Sequence, residues 1–296
     1  MSVVVKICGG LGNQMFQYAA GRALAIRTEA ELLLDISWYE APDANTTRKY
    51  MLNIFPITAK IYNNPKLWPL AKKKGFIRHC VQRLISLKSF SISNVKVLEP
   101  HYHYWEGFEK LQKPVYLEGY WQSENYFASI DSVIRNDFLF PSKISYVTKS
   151  ILNSIFANKN SVSVHVRRGD YVSNSNTRSF HGCCSSDYYK NAINYIKHSF
   201  PEAHLFIFSD DPDWVSNNFF TFGLHATFVD LAMPDEPWHD CHLMSLCKHH
   251  IIANSTFSWW GAWLSVADGI TVAPRVWFAD PKMRSQSPCP KRWRLL

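Results

Sequence analysis

Val3 to Thr28 reads VVVKICGGLGNQMFQYAAGRALAIRT, and the change of hydrophobic period inside it decides the fold class. Val3 to Cys8 is a β-branched apolar run, as in a buried strand. A glycine turn follows, and then Met15, Tyr18, Ala19, Ala23 and Ile26 recur at helical spacing from about Asn13 to Arg27. A second strand is predicted at once, Glu31 to Asp35. One βαβ unit with a glycine-rich first turn therefore opens the chain. From Ser161 the same alternation repeats, with strands predicted at 161–166, 204–209, 226–230, 250–253 and 270–273. Helices at about 185–199, 212–220, 239–248 and 256–267 separate them. This is the pattern of a parallel sheet with helices on both faces. The reading is α/β, two Rossmann-like domains (1–150 and 151–296) facing a central cleft. Ligands of such sheets sit outside the carboxyl ends of the strands.

Outward from these units the pattern is poorer. Residues 36–115 are aromatic, basic and proline-punctuated, and are expected to form irregular helices and loops. VYLEGYWQSENYF (115–127) predicts a strand running into a helix.

The chain has 296 residues, 47% of them hydrophobic and 19% charged, which is ordinary globular usage and excludes a disordered tail, a collagen or a disulfide miniprotein. No apolar stretch approaches a membrane span. The seven cysteines are odd in number and lack a disulfide framework's spacing. A cytoplasmic location is expected. The net charge of +8 is concentrated in residues 1–150, with 19 Lys and Arg against 12 Asp and Glu. Asp43 to Glu99 encloses eleven basic residues and no acidic one. Two readings stay open for that segment: a solvated basic face, which is favoured, or a peripheral contact with an anionic membrane. No nucleic-acid partner is expected, because neither a recognition module nor an aromatic-basic stripe is present.

Four motifs lie at predicted strand ends. Gly9-Gly10-Leu11-Gly12-Asn13-Gln14 lets a backbone approach a ligand and offers helix N–H groups to an anion, although a tight structural turn explains it equally. His165-Val166-Arg167-Arg168-Gly169-Asp170 puts two arginines at the end of a buried strand. Strand alternation sends them to opposite sides, so one reaches a ligand and the other is structural. Asp210-Asp211-Pro212-Asp213 contains the Asp-x-Asp pattern of metal-binding sugar transferases. It equally forms an N-cap with proline in the first turn, and the cap is favoured, leaving a carboxylate for a ribose or base contact. Asn254-Ser255-Thr256-Phe257-Ser258 opens a Trp-rich helix with three hydroxyls, more than capping requires. The histidines and cysteines between His239 and His250 match no standard zinc spacing.

Together GGLGNQMFQYAAGRALA, YLEGYWQSENYF, HVRRGDYV with a following FHG and DYY, FSDDPDWV and LMSLCKHHIIANSTFSWWGAWL resemble the bacterial branch of glycosyltransferase family 11, the α-1,2-fucosyltransferases. The resemblance implies a GT-B fold and inverting transfer of fucose from GDP-β-L-fucose to the 2-hydroxyl of a galactose-terminated oligosaccharide. It implies no metal and no other cofactor. It assigns Arg168 to the β-phosphate, Ser255 and Thr256 to the diphosphate, and Asn13 to the loop over the reacting centre. Gly10, Gly12, Gln14, His165, Asp210, Asp211, Asn254, Phe257 and Ser258 complete the expected donor site. Asp170 and His181 are the candidates for the base that takes the acceptor proton.

Overall fold

A computed structural model describes residues 1–40, 48–62, 95–233 and 235–296, the side chains of Asp170 and Asn176 excepted. The basic segment's residues 44–47 and 63–94, and what was expected of them, lie outside the described residues.

The first sheet is built from β1 (Ser2–Lys6), β2 (Glu31–Asp35), β3 (Lys60–Ile61), β4 (Val95–Leu98) and β5 (Val115–Glu118), with α1 (Leu11–Arg27) between β1 and β2. Its strands are parallel in the order β3-β2-β1-β5-β4. β3 and β4 correct the expectation of helices and loops over 36–115. Both strands are short and lack the apolar run that marks a buried strand in sequence. The helix expected directly after β5 is also absent. Trp121 has a left-handed backbone, φ 56°, so the chain turns there, and α2 waits until Asp131–Asp137.

The second half runs α3 (Tyr146–Ala157), β6 (Ser161–Val166), α4 (Gly169–Ser173), α5 (Ser175–His181), α6 (Ser186–Ser199), β7 (His204–Ser209), α7 (Pro212–Asn218), β8 (His225–Val229), α8 (Trp238–Leu246), β9 (His249–Ile251), α9 (Thr256–Leu264), β10 (Thr271–Ala273) and β11 (Arg294–Leu295). Its parallel strands are ordered β11-β10-β9-β6-β7-β8. Counted from β6, that is the 3-2-1-4-5-6 order of a doubly wound sheet. The order reverses between β6 and β9, and in the first sheet between β1 and β5. These two switch points face each other across the cleft.

The halves share a core. α9 packs on α1, and Phe16 of α1 lies 4.5 and 4.9 Å, ring to ring, from Trp259 and Trp260. Phe127 stacks on Trp260 at 5.5 Å. The tryptophans of α9 are therefore joint packing rather than a sugar platform. α1 is buried on nearly every side; only Ile26 of its predicted apolar set is exposed.

Two glycines are required by geometry. Gly9, at φ 78°, turns the chain from β1 into α1. A Cβ on Gly12 would lie 2.5 Å from the Thr256 carbonyl carbon. Without a side chain there, the starts of α1 and α9 abut.

Candidate functional site

The two switch points line one cleft of about 710 Å³. At its centre two helices begin without a side-chain cap: α1 after Gly10 and α9 after Ser255. Their leading N–H groups and the positive ends of their dipoles serve an anion. Gly10 has nothing within 4 Å of the direction a Cβ would take, so its backbone is open to a ligand. Ser255, Thr256 and Phe257 line the cleft beside it. Asn13 lies inside the first turn of α1, and its Oδ1 accepts from Thr256 Oγ1 at 2.9 Å and from Gln122 Nε2 at 3.1 Å. Three strand ends are tied together by that one amide.

The arginines divide by strand parity, in the sense opposite to the one the resemblance implies. His165 and Arg167 line the cleft. Arg168 turns to the other side, where its guanidinium lies 3.6 Å over the Trp214 ring and its Nε donates to Asp211 at 3.0 Å. The cleft-lining cation of the β6 end is thus Arg167, steadied by Asp210 at 2.9 Å. Asp210 also accepts the Arg168 N–H at 2.8 Å. Asp211 caps α7 through the Trp214 N–H, with Pro212 next in the first turn. The cap and the arginine together occupy this carboxylate, so the Asp-x-Asp pattern here is a helix start, and Asp211 does not line the cleft.

Three further expectations fail on burial. Gln14 is fully buried, and its amide serves Gly9 O, Lys49 O and the Met51 N–H. Asn254 Nδ2 is spent on the carbonyls of His181, Gly182 and Trp277. Ser258 Oγ turns back to Ala253 O and Ser255 O. Gln14 and Ser258 thus support the cleft wall from behind, whereas Asn254 lines the cleft with its amide nitrogen held by the wall's own carbonyls. The Asp170 side chain lies outside what is described. His181 lines the cleft at the end of α5, stacked on Tyr171 at 4.9 Å and 9°.

His165 is nearly fully buried against Phe257, and among the described residues its Nδ1 has no hydrogen-bond partner. Burial, and after it the charge of Arg167, depresses its pKa to about 3, so the ring is neutral. It can meet a ligand only as a neutral donor or acceptor.

One group was missed in the sequence. Asp240, in the first turn of α8, lines the cleft beyond β8. Its buried Oδ1 has no hydrogen-bond partner among the described residues. Burial, with the charge of Asp230 adding to it, pushes its carboxyl up to about 7. Asp240 lines the same cleft as Arg167, where its carboxylate can accept from a planar pair of N–H donors. Part of the cleft wall is aromatic, made by Tyr102, Tyr120, Phe180 and Phe278. Among the described residues no three His, Cys, Asp or Glu gather as a metal ion would require, and no helix is long and apolar enough to cross a membrane.

The family model for glycosyl transferase family 11 matches residues 2–296. The chain is 36% identical to an alpha-1,2-colitosyltransferase of Escherichia coli, over 99% of this chain and 98% of the relative. It is also 36% identical to the O-antigen biosynthesis glycosyltransferase WbnK of Escherichia coli, over 92% and 94%. Human galactoside alpha-(1,2)-fucosyltransferase 1 is 26% identical over 58% of this chain and 49% of its own. Among solved structures, Arabidopsis thaliana FUT1 in complex with GDP aligns with a TM-score of 0.54 at 14% identity, covering 91% of this chain and 70% of that one. Its likeness is of fold, the GT-B arrangement.

Proposed function

The chain belongs to glycosyltransferase family 11, and from that premise we propose that it transfers L-fucose from GDP-β-L-fucose to the 2-hydroxyl of a terminal β-galactose, with inversion and without a metal. The observation that carries this reading is the layout of the cleft. Arg167, the uncapped starts of α1 and α9 and the carboxyl of Asp240 all line it. Guanine presents N1–H and the 2-amino group on one edge, the donor pair Asp240 can accept.

Displacement at the sugar's anomeric carbon forms a bond to the acceptor oxygen and breaks the bond to the β-phosphate oxygen. Negative charge grows on the departing phosphate, where Arg167 and the leading N–H groups of α1 and α9 stabilise it. The acceptor hydroxyl lies on the far side of the sugar and releases its proton as it attacks. His181 is assigned as the base that takes it, since it lines the cleft and an imidazole suits proton transfer near neutral pH.

A second donor has a specific reason in its favour. The near-full-length likeness to a colitosyltransferase points to a sugar that differs from fucose by loss of the 3-hydroxyl. Incubation with GDP-fucose and, separately, GDP-colitose, each with lactose, decides between them by mass and by the anomeric coupling of the product. Transfer from neither, or a β-linkage, overturns the reading.

A further inference from the structure

We infer that Tyr102 and Tyr120 form the subsite that receives the apolar face of a galacto-configured acceptor ring. The inference rests on the function proposed above and adds the place where the acceptor binds.

The aromatic wall of the cleft is assembled from both halves. Tyr102 and Tyr120 come from the loops after β4 and β5, Phe180 from α5 and Phe278 from the segment after β10. Tyr102 lies near-parallel to Tyr120 at 6.0 Å and contacts Phe180 at 6.1 Å and Phe278 at 5.3 Å. Phe278 is almost wholly buried, whereas both tyrosines are half-buried and line the cleft. Phe278 therefore backs the wall, and the tyrosines present it together with the half-buried Phe180.

The turn carrying Tyr120 is held firmly. Glu99 accepts the Tyr120 N–H at 2.6 Å and the Trp121 N–H at 3.0 Å. The same turn sends Gln122 to Asn13 at the anion centre. The wall is thus fixed relative to the phosphate-binding groups, and a donor sugar fills the space between them. The acceptor must also reach the base, and His181 lies against this wall, 4.8 Å from Phe180 and 5.8 Å from Phe278, ring to ring.

Ring chemistry then selects the ligand. In a β-galactoside the axial 4-hydroxyl leaves the opposite face with C–H groups at C3, C4 and C5, a continuous apolar patch that packs on an aromatic ring. A glucoside has an equatorial 4-hydroxyl and lacks that concentrated patch. Burial raises both tyrosine pKa values, that of Tyr120 to about 12, so their hydroxyls stay protonated and able to donate to the sugar's rim.

The test uses methyl β-D-galactopyranoside and methyl β-D-glucopyranoside on the full chain, with and without GDP, so binding is read without turnover. Saturation-transfer NMR is expected to mark H3, H4 and H5 of the galactoside. Tyr102→Leu and Tyr120→Leu should each weaken the galactoside roughly tenfold, the scale of one lost aromatic contact. Tyr102→Phe and Tyr120→Phe should lose little. Calorimetric GDP affinity equal to wild type certifies that a variant is folded. The inference is overturned if the wild type binds both glycosides alike or neither, or if folded leucine variants keep wild-type galactoside affinity. Failure to bind GDP would instead count against the proposed function, while the galactoside arm is still read without GDP.

Discussion

Asp240 offers the sharpest test of the donor site, because its geometry and its protonation point to the same ligand. The residue lines the cleft, and its buried Oδ1 has no hydrogen-bond partner among the described residues. Burial and Asp230 lift its carboxyl from 3.8 to about 7, equivalent to about 4 kcal/mol against the ionised form. The sign follows from linkage. In the empty protein Asp240 holds its proton up to about pH 7, so its contribution to stability declines as pH rises from its unfolded value through 7. Guanine donors require the ionised carboxylate, and in the complex the pKa falls. At pH 6 about nine in ten empty molecules are protonated, so binding there releases close to one proton and affinity is roughly tenfold weaker than at pH 8. Asp240→Asn abolishes that pH dependence and lowers GDP affinity roughly 10²-fold at pH 8, since one of two charge-assisted hydrogen bonds becomes a donor–donor conflict. The same amide suits the 2-carbonyl of xanthine, so the variant should prefer XDP to GDP. Titration calorimetry at both pH values, in two buffers of different ionisation enthalpy, measures these effects. GDP's own phosphate titrates in this range, but it does so equally with the asparagine variant, so the comparison between proteins isolates Asp240. Equal proton release by both proteins, or unchanged GDP affinity and no gain for XDP, would refute the assignment.

Arg167→Ala should reduce GDP affinity at least 10²-fold in calorimetry. Arg168→Ala should mainly lower the melting temperature, because it leaves Asp211 and Trp214 without their partner; the reverse result restores the assignment to Arg168. His181→Ala should cost about 10²–10⁴ in kcat at saturating acceptor with GDP-fucose affinity retained, and near-normal kcat removes it as the base. Glu99→Gln should destabilise the protein by about 1–3 kcal/mol, one backbone N–H losing its acceptor, and should raise acceptor KM with little change in donor KM; thermal melts and initial rates check this. Transfer should survive EDTA, and a loss restored by Mn²⁺ would reopen the site to a metal.

The fold was legible wherever a strand was buried on both faces. β6 and β7 occur at their predicted bounds, since the strict alternation of SVSVHV and the apolar run of HLFIFS, each beside a helical period, leave little alternative. β3, β4 and β11 were illegible because two to four residues at a sheet's margin carry no period to detect. The site was legible as a set of strand ends but not as a set of side-chain directions. Gln14, Asn254 and Ser258 sit in the right motifs, yet the abutting turns consume their polar atoms, and only packing reveals that.

The arginine pair shows where sequence reasoning held more information than was drawn from it. Alternation along β6 already required one arginine in the cleft and one behind it. Parity could have chosen between them, because His165, two residues before Arg167, also belongs to the cleft side. Asp211-Pro212 reads as a helix start, and Trp214 lies in its first turn. Together they form a socket for whichever arginine points away from the cleft, an acceptor at 3.0 Å and an aromatic face at 3.6 Å. The socket is poorly suited to a phosphate: a carboxylate would repel the ligand, and the face of an indole offers it no donor. Arg168 therefore fastens α7 to the end of β6, and that fastening holds the neighbouring Asp210 where it can steady Arg167. Asp210 thereby positions the arginine that lines the cleft, and Asp211 restrains its neighbour.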